Sequence, residues 1–360
     1  MEYYVYITND CNMNCAYCSV LFDTQKYGIP LSPQYSYNTL VNFICKMQKK
    51  LNDPVADIYF FGGEPTVDYG EIEKLIRALN IPHEYKINFI MHTNGLLIPE
   101  APKFIIDNID LTLLSFNYEL IFEDGQLTPY FGKMINAIEH LKMQKNSKII
   151  GRITVSSKTS LFTEACMISN FVDYVYWQID NCEYVEKFEE YKNQYKYNIS
   201  LLFNYWMTCL KKGIFLRFVP FMSAVRNCIQ DVPVPKKFYC GYGHSMIYIQ
   251  TDGKCYACCD NVATKSHYIG DIYNGIQFPN INLKNTVCNG CDYIKLCGGR
   301  CGRMHKDFSD ERIAQYCELN KYMFDMIKNA IPKIEAIMKK HPEYYEKLMD
   351  PNISYTEYTA

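Results

Sequence analysis

Short apolar segments alternate with amphipathic segments through the first half of the 360-residue chain, and this alternation limits the fold more than any other feature. It is typical of parallel strands joined by helical crossovers. The predicted strands are Tyr3–Thr8, Ala56–Phe61, Lys86–Met91, Leu111–Phe116, Ile149–Val155 and Tyr174–Ile179. The predicted helices are Tyr37–Leu51, Gly70–Leu79, Pro129–Gln144 and Phe162–Phe171. In the first helix, Ser36 is a possible cap, and the apolar positions Leu40, Phe43, Ile44 and Met47 predict one buried face.

Six strand–helix units predict an α/β fold of the partial (β/α)6 TIM-like barrel type. In such folds the chemistry lies at the carboxyl ends of the strands. A barrel without the last units of the usual set leaves an opening that can admit a large substrate.

Three cysteines directly follow the first predicted strand. Cys11, Cys15 and Cys18 are spaced four and three residues apart. A four-iron cluster usually takes four cysteine thiolates, so three close thiols can leave one iron open to a ligand that is not protein. Read alone, the spacing also fits a zinc knuckle or buried structural thiols.

Further candidates lie near the ends of the later strands. Gly62 and Gly63 let the backbone approach a ligand closely, and Glu64 offers a carboxylate to an ammonium group. By itself this segment is better explained as a glycine-rich turn from strand to helix. The remaining candidates are Asn94, Ser115 and Arg152. The last either reaches a ligand carboxylate or is a charge at a strand edge.

Charge and hydropathy exclude several classes of protein. The formal net charge of -2 and the isoelectric point near 6.4 give no electrostatic footprint for nucleic acid or an anionic membrane. No apolar run has the length needed to span a bilayer, and the cysteine motif begins too early for a cleavable signal peptide to precede it. We therefore expect a cytoplasmic protein with neither nucleic acid nor membrane as partner.

Cysteine usage indicates metal rather than disulfides. The chain has 17 cysteines, an odd number that cannot be fully paired within one chain, and it shows no export signal. In a reducing compartment, many cysteines at short spacings point to metal binding.

The second half is predicted to be helical over Glu183–Lys212 and again from Glu318 to Met349. Between them, residues 213–239 contain three prolines and predict a strand followed by a connector.

The Cys-x3-Cys-x2-Cys motif, with Tyr17 before its last cysteine, is followed by Gly62-Gly63-Glu64-Pro65 on the next strand. Over residues 3–221 this pair of motifs resembles the radical S-adenosylmethionine (SAM) superfamily. The resemblance implies that Cys11, Cys15 and Cys18 bind three irons of a 4Fe-4S cluster and that SAM binds the fourth. The SAM contacts that it implies are Tyr17 beside the adenine, Gly62, Gly63 and Glu64 at the methionyl amine, and, by location only, Asn94, Ser115 and Arg152.

A second cysteine pattern begins at Cys240, which is followed by twelve residues, Gly253, four residues and Cys258. Cys288-x2-Cys291-x5-Cys297-x3-Cys301 and then Cys317 complete it. The pattern resembles the SPASM module, which implies two auxiliary 4Fe-4S clusters and three clusters in all. The implied ligands are Cys240, Cys258 and Cys301 for the first auxiliary cluster, and Cys288, Cys291, Cys297 and Cys317 for the second. The alternative is a zinc ribbon from Cys288 to Cys301.

The first auxiliary set lacks the further cysteine that the module often carries after its leading one. The cluster then either binds substrate at an open iron or recruits Cys255 or Cys259. With Asp260, these are the candidate catalytic residues. Five cysteines match no motif and are interpreted as packing residues: Cys45, Cys166, Cys182, Cys209 and Cys228.

The predicted domains are the radical SAM barrel over 1–221, a connector over 222–239, the SPASM module over 240–317 and a helical segment over 318–360. The resemblance implies cleavage of SAM and hydrogen abstraction from a precursor peptide or protein, with a flavodoxin- or ferredoxin-type electron donor. Formation of a thioether or carbon–carbon crosslink is the preferred reaction. With strand one at its start, the chain is expected to lack the winged-helix domain that leader-binding maturases often carry.

Two alternatives remain. One is a sulfatase-maturing enzyme that generates formylglycine; its relatives carry a catalytic aspartate where this chain has Cys259, with Asp260 one residue further. The other is a non-enzymatic metal-binding or redox-sensing protein.

Overall fold

The computed structural model describes residues 1–15, 18, 24, 26–116, 118–123, 125–143, 147–180, 187–230, 238–260, 265–283 and 286–350. The strands are β1 (Glu2–Thr8), β2 (Val55–Gly62), β3 (Lys86–Thr93), β4 (Leu111–Phe116), β5 (Phe122–Glu123), β6 (Gln126–Leu127), β7 (Lys148–Val155), β8 (Tyr174–Ile179), β9 (Met246–Ile249), β10 (Lys254–Tyr256), β11 (Tyr268–Asp271) and β12 (Gly275–Ile276). The helices are α1 (Tyr37–Leu51), α2 (Tyr69–Leu79), α3 (Lys103–Asn108), α4 (Tyr118–Ile121), α5 (Pro129–Lys142), α6 (Leu161–Ile168), α7 (Phe188–Lys211), α8 (Val219–Gln230), α9 (Ile294–Cys297), α10 (Met304–Asp307), α11 (Asp310–Met338) and α12 (Glu343–Leu348). Within these ranges, no helix combines the length and the apolar character needed to cross a membrane.

The chain divides into two compact units. The first comprises Met1–Ser115, Leu127–Ile149 and Gly241–Asn280, and the second comprises Phe116–Gln126, Ile150–Cys240 and Ile281–Ala360. The domain limits inferred from the sequence stay predictions.

The first unit is built on strands that lie side by side in the order β12-β11-β10-β9-β1-β2-β3-β4. β1 pairs in parallel with β2 on one side and with β9 on the other, and β3 and β4 continue the parallel pairing. β10, β11 and β12 add antiparallel pairs beyond β9. The loops that follow β1, β2, β3 and β4 therefore leave the sheet at the same edge.

The second unit contains the parallel pair β7–β8, in which Arg152 lies opposite Tyr176. Its long helix α7 packs against α6 and α11, and α8 packs against α11 and β8. The segment from α9 to α12 completes the unit.

The α/β class predicted from the alternation is confirmed, and every one of the six strands and four helices is present. Helix α1 shows why the pattern is informative. Ser36 caps it by accepting a hydrogen bond from the N–H of Thr39 at 3.2 Å, and the predicted apolar face is buried.

The prediction of a strand and a connector over residues 213–239 was wrong for residues 219–230, which form helix α8. Residues 231–237 lie outside the described residues. Pro220 is the second residue of the helix, where its missing N–H breaks no intrahelical hydrogen bond. Within the described part of the segment, the predicted strand is reduced to a single parallel bridge between Val175 and Phe218. The helix predicted to reach Met349 is also interrupted between α11 and α12, where Pro342 disfavours helical geometry for the residue before it.

The end of β2 packs tightly against the chain that leaves β1. The N–H of Gly63 donates to the carbonyl of Thr8, and the N–H of Glu64 donates to the carbonyl of Asp10, both at 2.9 Å. Gly62 has φ +134°, and a Cβ atom on it would overlap the carbonyl oxygen of Thr8. A Cβ atom on Gly63 would overlap the carbonyl oxygen of Asp10. These glycines therefore allow the end of β2 to contact the backbone of the residues just before Cys11.

We expect Gly63→Ala to lower the free energy of unfolding by more than about 1 kcal/mol, because the added methyl group has no space. Gly132→Ala is the matched control, since Gly132 lies exposed in α5 with open space around its Cα. Removing this helical glycine is expected to stabilise by about 0.5–1 kcal/mol. Urea unfolding of the purified proteins measures both changes. Equal stability of Gly63→Ala and the unmodified protein would contradict the tight contact.

Candidate functional site

The predicted ligands of the first cluster lie close together on the loop after β1. Cys11, Cys15 and Cys18 are half-buried. The N–H of Met13 donates to Sγ of Cys11 at 3.4 Å, and the N–H of Cys18 donates to the carbonyl of Cys15 at 3.1 Å. Burial raises the pKa of the Cys11 thiol to about 11, and the nearby Cys15 and Cys18 thiols add to the rise. Three neighbouring thiols fit one metal cluster. Tyr17 lies outside the described residues.

Glu64 is 2% exposed, and its carboxylate is held by the protein itself. Oε1 accepts hydrogen bonds from the N–H of Thr66 at 3.1 Å, the hydroxyl of Thr66 at 2.6 Å and the hydroxyl of Thr93 at 2.6 Å. Oε2 accepts from the N–H of Asn94 at 2.7 Å. Burial raises the pKa of Glu64, and these donors oppose the rise. The carboxylate thus joins the loops after β2 and β3, and its contact with SAM stays a prediction.

Asn94 connects the loop after β3 to the cysteine loop. Its Nδ2 donates to Oδ1 of Asn12 at 2.7 Å, and its Oδ1 accepts from the N–H of Leu96 at 3.1 Å. The hydroxyl of Tyr130, on α5, donates to the carbonyl of Asn94 at 3.3 Å. Burial raises the pKa of Tyr130, and the nearby Cys15 adds to the rise. Sequence reasoning missed Asn12 and Tyr130, because no motif marks either residue.

Ser115 and Arg152 belong to different units of the chain. Ser115 is half-buried at the next-to-last position of β4, and Arg152 is half-buried within β7. Their roles toward SAM stay predictions.

A second group of candidate ligands follows β10 in the first unit. Ligand atoms of Cys258, Cys259 and Asp260 all lie within 4.8 Å of one another. Sγ of Cys259 lies 3.8 Å from Oδ1 of Asp260. Thiolates and carboxylates together are suitable ligands for thiophilic metals.

An aromatic cluster brings this second group and the cysteine loop together. It consists of three tyrosines and one methionine, namely Tyr6, Tyr248, Tyr256 and Met246. Both Cys18 and Cys259 pack against it. The hydroxyl of Tyr6 is buried and has no hydrogen-bond partner among the described residues. Burial raises its pKa, and Cys259, Asp260, Cys258 and Cys18 add to the rise. A buried hydroxyl without a partner normally faces a group that can accept its hydrogen bond.

Cys255 faces away from this site. Side chains alternate between the faces of a strand, and its neighbour Tyr256 belongs to the aromatic cluster. Cys255 is buried, and its Sγ lies 3.9 Å from the carbonyl oxygen of Gly253. Of the two thiols beside Cys258 that the sequence left open, the structure therefore groups only Cys259 with it.

In the second unit, the four cysteines predicted for the second auxiliary cluster line one cavity of about 340 Å³. They are Cys288, Cys291, Cys297 and Cys317. The backbone N–H of Gly299 donates to the Cys297 sulfur, and hydrogen bonds to ligating sulfurs are one of the features that set the potential of an iron–sulfur cluster. The donor set and the volume fit a 4Fe-4S cluster.

The same cavity bears on the zinc-ribbon alternative. Its lining contains Cys317 from α11 and not Cys301, so the four thiols around it differ from the run Cys288–Cys301. Cys240 and Cys301 belong to the second unit and Cys258 to the first. The ligand set of the first auxiliary cluster stays a prediction.

Replacing Glu64 by Gln is expected to destabilise the protein by about 1–3 kcal/mol, because the amide leaves at least one buried donor unpaired. We also expect SAM cleavage to fall, because the loops around the cysteines lose hydrogen bonds that hold them together. Thermal unfolding and 5′-deoxyadenosine formation measure the two effects. Glu73→Gln is the control, because Glu73 forms only an exposed pair with Arg77, and a change within about 0.5 kcal/mol is expected. Equal stability of the two variants would show that Glu64 does not hold the loops.

Comparison with known proteins identifies the kind of domain that contains the first of the cysteine motifs. The family model described as the radical SAM superfamily matches residues 5–155. The radical SAM cyclopropyl synthase TigE of Paramaledivibacter caminithermalis is 29% identical over 102 residues, which are 26% of this chain and 21% of TigE. The match thus spans about a fifth of that relative's length.

Solved structures of anSMEcpe share the fold. Native anSMEcpe with bound AdoMet has a TM-score of 0.67 at 18% identity, covering 94% of this chain and 99% of that one. Native anSMEcpe with bound AdoMet and Cp18Cys peptide has a TM-score of 0.66 at 19% identity, covering 92% and 99%. At 18% and 19% identity, the similarity to these structures shows a shared fold and nothing more. The family match shows that residues 5–155 correspond to a radical SAM domain, the kind of domain that binds a 4Fe-4S cluster and SAM.

Proposed function

We propose that the chain is a radical SAM enzyme with SPASM-type auxiliary clusters that modifies a ribosomally made peptide. The reaction proposed is the formation of a thioether or carbon–carbon crosslink. The observation that carries the proposal is the position of Cys259, which packs against the same aromatic cluster as Cys18. A second sulfur-rich group beside the radical-forming loop is suited to act on a substrate held next to both.

The names of similar proteins support a peptide or protein substrate. TigE is a radical SAM cyclopropyl synthase, and anSMEcpe has been solved with bound peptides as well as AdoMet. We extend the class of substrate, a peptide, to this chain.

When bound, the cluster and SAM supply a 5′-deoxyadenosyl radical that removes a hydrogen atom from the substrate. The residues of the chain hold and orient these groups and keep water from them. Cys11, Cys15 and Cys18 would hold the cluster. The proposed SAM contacts are Tyr17, Gly62, Gly63, Glu64, Asn94, Ser115 and Arg152. A flavodoxin- or ferredoxin-type protein would supply the electron.

The auxiliary clusters would be held by two sets of cysteines. The sets are Cys240, Cys258 and Cys301 for the first, and Cys288, Cys291, Cys297 and Cys317 for the second. The second set is supported by the shared cavity that its four thiols line.

Cys259 is proposed to act beside Cys258, either as a further ligand of the first auxiliary cluster or as a contact to the substrate. The proposed role of Asp260 is to accept the proton that the substrate loses. Its carboxylate lies 3.8 Å from the Cys259 sulfur, so a substrate held at Cys259 would be close to it. Cys255 has no role in this proposal, since it lies on the opposite face of β10.

Generation of formylglycine in a sulfatase is the second candidate. It is favoured by one observation, the grouping of Asp260 with Cys258 and Cys259. A carboxylate at this place is what that reaction requires of its base.

Incubation of the reconstituted enzyme with peptides encoded beside its gene tests the proposal. A crosslink removes two hydrogen atoms from the peptide. Formylglycine formation from cysteine removes two hydrogen atoms and also exchanges sulfur for oxygen, so intact mass separates these two. Formation from serine removes only two hydrogen atoms, and reaction of the product aldehyde with a hydrazide then distinguishes it from a crosslink. Unmodified peptides alongside robust 5′-deoxyadenosine formation would contradict peptide crosslinking. Absence of SAM cleavage would instead favour a non-enzymatic metal-binding protein.

Cluster variants assign the steps. Cys15→Ala should abolish SAM cleavage because one iron loses its ligand, and Cys297→Ala should retain cleavage but lose the product. Cys166→Ala is the control, as Cys166 is a half-buried thiol outside the motifs, and it should keep both activities. Iron analysis should give about twelve irons per chain for three four-iron clusters; four or fewer after full reconstitution would contradict the auxiliary clusters.

A pair of cysteine variants tests the site after β10. Cys259→Ala is expected to lower product formation about 100-fold, because the substrate or the cluster that Cys259 is proposed to hold would be misplaced. Cys255→Ala should keep product formation, because its side chain faces away. Rates of product and 5′-deoxyadenosine formation are measured together, and the EPR signal of the first auxiliary cluster shows whether Cys259 is a ligand. Loss of product in Cys255→Ala but not in Cys259→Ala would reverse the assignment.

A further inference from the structure

Arg300 is a buried cation in the lining of the cavity that the four cysteines of the second unit share. The residue is 1% exposed. Full burial of an arginine is uncommon, because removing its charge from water is unfavourable unless other groups interact with it.

The backbone at Arg300 has a strained, left-handed conformation. Arg300 has φ +60°, and it follows Gly298 at +63° and Gly299 at +88°. Glycine adopts this left-handed conformation easily, whereas a residue with a Cβ atom loses roughly 1–2 kcal/mol in it. A non-glycine residue kept in such a conformation is a reason to look for a function.

The guanidinium group is held from α10 and α11. Nε donates to Sδ of Met304 at 3.3 Å, and Nη1 donates to the carbonyl of Tyr316 at 3.4 Å. The group also lies 5.0 Å from the centre of the Tyr316 ring. These contacts fix the charge at the cavity wall.

Arg300 lies in the same cavity lining as the four thiols. The backbone also connects it to one of them, because the N–H of Arg300 donates to the carbonyl of Cys297 at 3.0 Å. A cation that favours thiolates also favours any further negative charge placed among them.

We propose that Arg300 raises the reduction potential of the second auxiliary cluster. The inference rests on the four-cysteine ligand set proposed above. In the step concerned, the oxidised cluster gains one electron, from the substrate radical in turnover or from dithionite in a titration, and the donor is oxidised by one electron. The reduced cluster carries one more negative charge, which the buried guanidinium stabilises.

Lys321 provides an internal comparison. It lines the same cavity but is exposed, and water and salt screen an exposed charge much more than a buried one. Lys321 therefore affects the potential less than Arg300 does.

The test is a redox titration of the reconstituted full-length protein followed by EPR. The signal of the second auxiliary cluster is the one that disappears in Cys297→Ala. We expect Arg300→Gln to shift its midpoint to a more negative potential, Arg300→Lys to retain most of the original value, and Lys321→Gln to shift it less. If Arg300→Gln does not fold, Arg300→Gly removes the same charge, relieves the left-handed strain and should give the same shift.

An unchanged midpoint in a fully iron-loaded Arg300→Gln or Arg300→Gly protein would overturn the inference and leave the proposed function intact. A shift in Lys321→Gln as large as that in Arg300→Gln would also overturn it, because burial would then not matter. Absence of any signal that depends on Cys297 would instead overturn the ligand set itself, and the inference with it.

Discussion

The hydrogen bonds of Glu64 hold the loop that bears the first three cysteines. Its N–H donates to the carbonyl of Asp10, and its carboxylate accepts from the N–H of Asn94. The side chain of Asn94 donates to Asn12, so the chain of hydrogen bonds returns to the cysteine loop. Hydrogen bonds to an ionised group are roughly twice as strong as neutral ones. A buried carboxylate with several donors is therefore well suited to fix three thiols on a short loop.

The place of β1 in the sheet explains why two sulfur-rich groups meet in the first unit. β1 lies between β2 and β9 and pairs in parallel with both. Tyr4 stacks on Tyr59 of β2 at 4.0 Å and on Tyr248 of β9 at 4.4 Å between ring centroids. This aromatic face continues to Tyr6, against which Cys18 and Cys259 pack. Residues separated by more than 200 positions in the sequence thus pack together on one face of the sheet.

Much of the fold was predictable, because strand and helix periodicity is local, and the positions of the predicted strands and helices and the buried face of α1 follow from it. The segment over 213–239 was mispredicted because Pro220 fits the start of a helix as well as a connector. The candidate site was predicted only in part. The cysteines are recognisable by their spacing, whereas Tyr130 and Asn12 take part through contacts with distant residues that leave no pattern in the sequence.

The sequence by itself determined the α/β class, the cysteines that are available as ligands and the glycines that a close backbone contact needs, because spacing and local conformation are properties of neighbouring residues. Only the tertiary structure decided which of the two open thiols, Cys255 or Cys259, lies near the first cysteine loop. The pairing of β9 with β1 places Cys259 against the same aromatic cluster as Cys18, and the alternation of side chains along β10 turns Cys255 to the other face. The packing of α11 in the second unit brings Cys317 to the cavity of Cys288 and Cys291. Such groupings depend on long-range packing, which residue spacing does not encode.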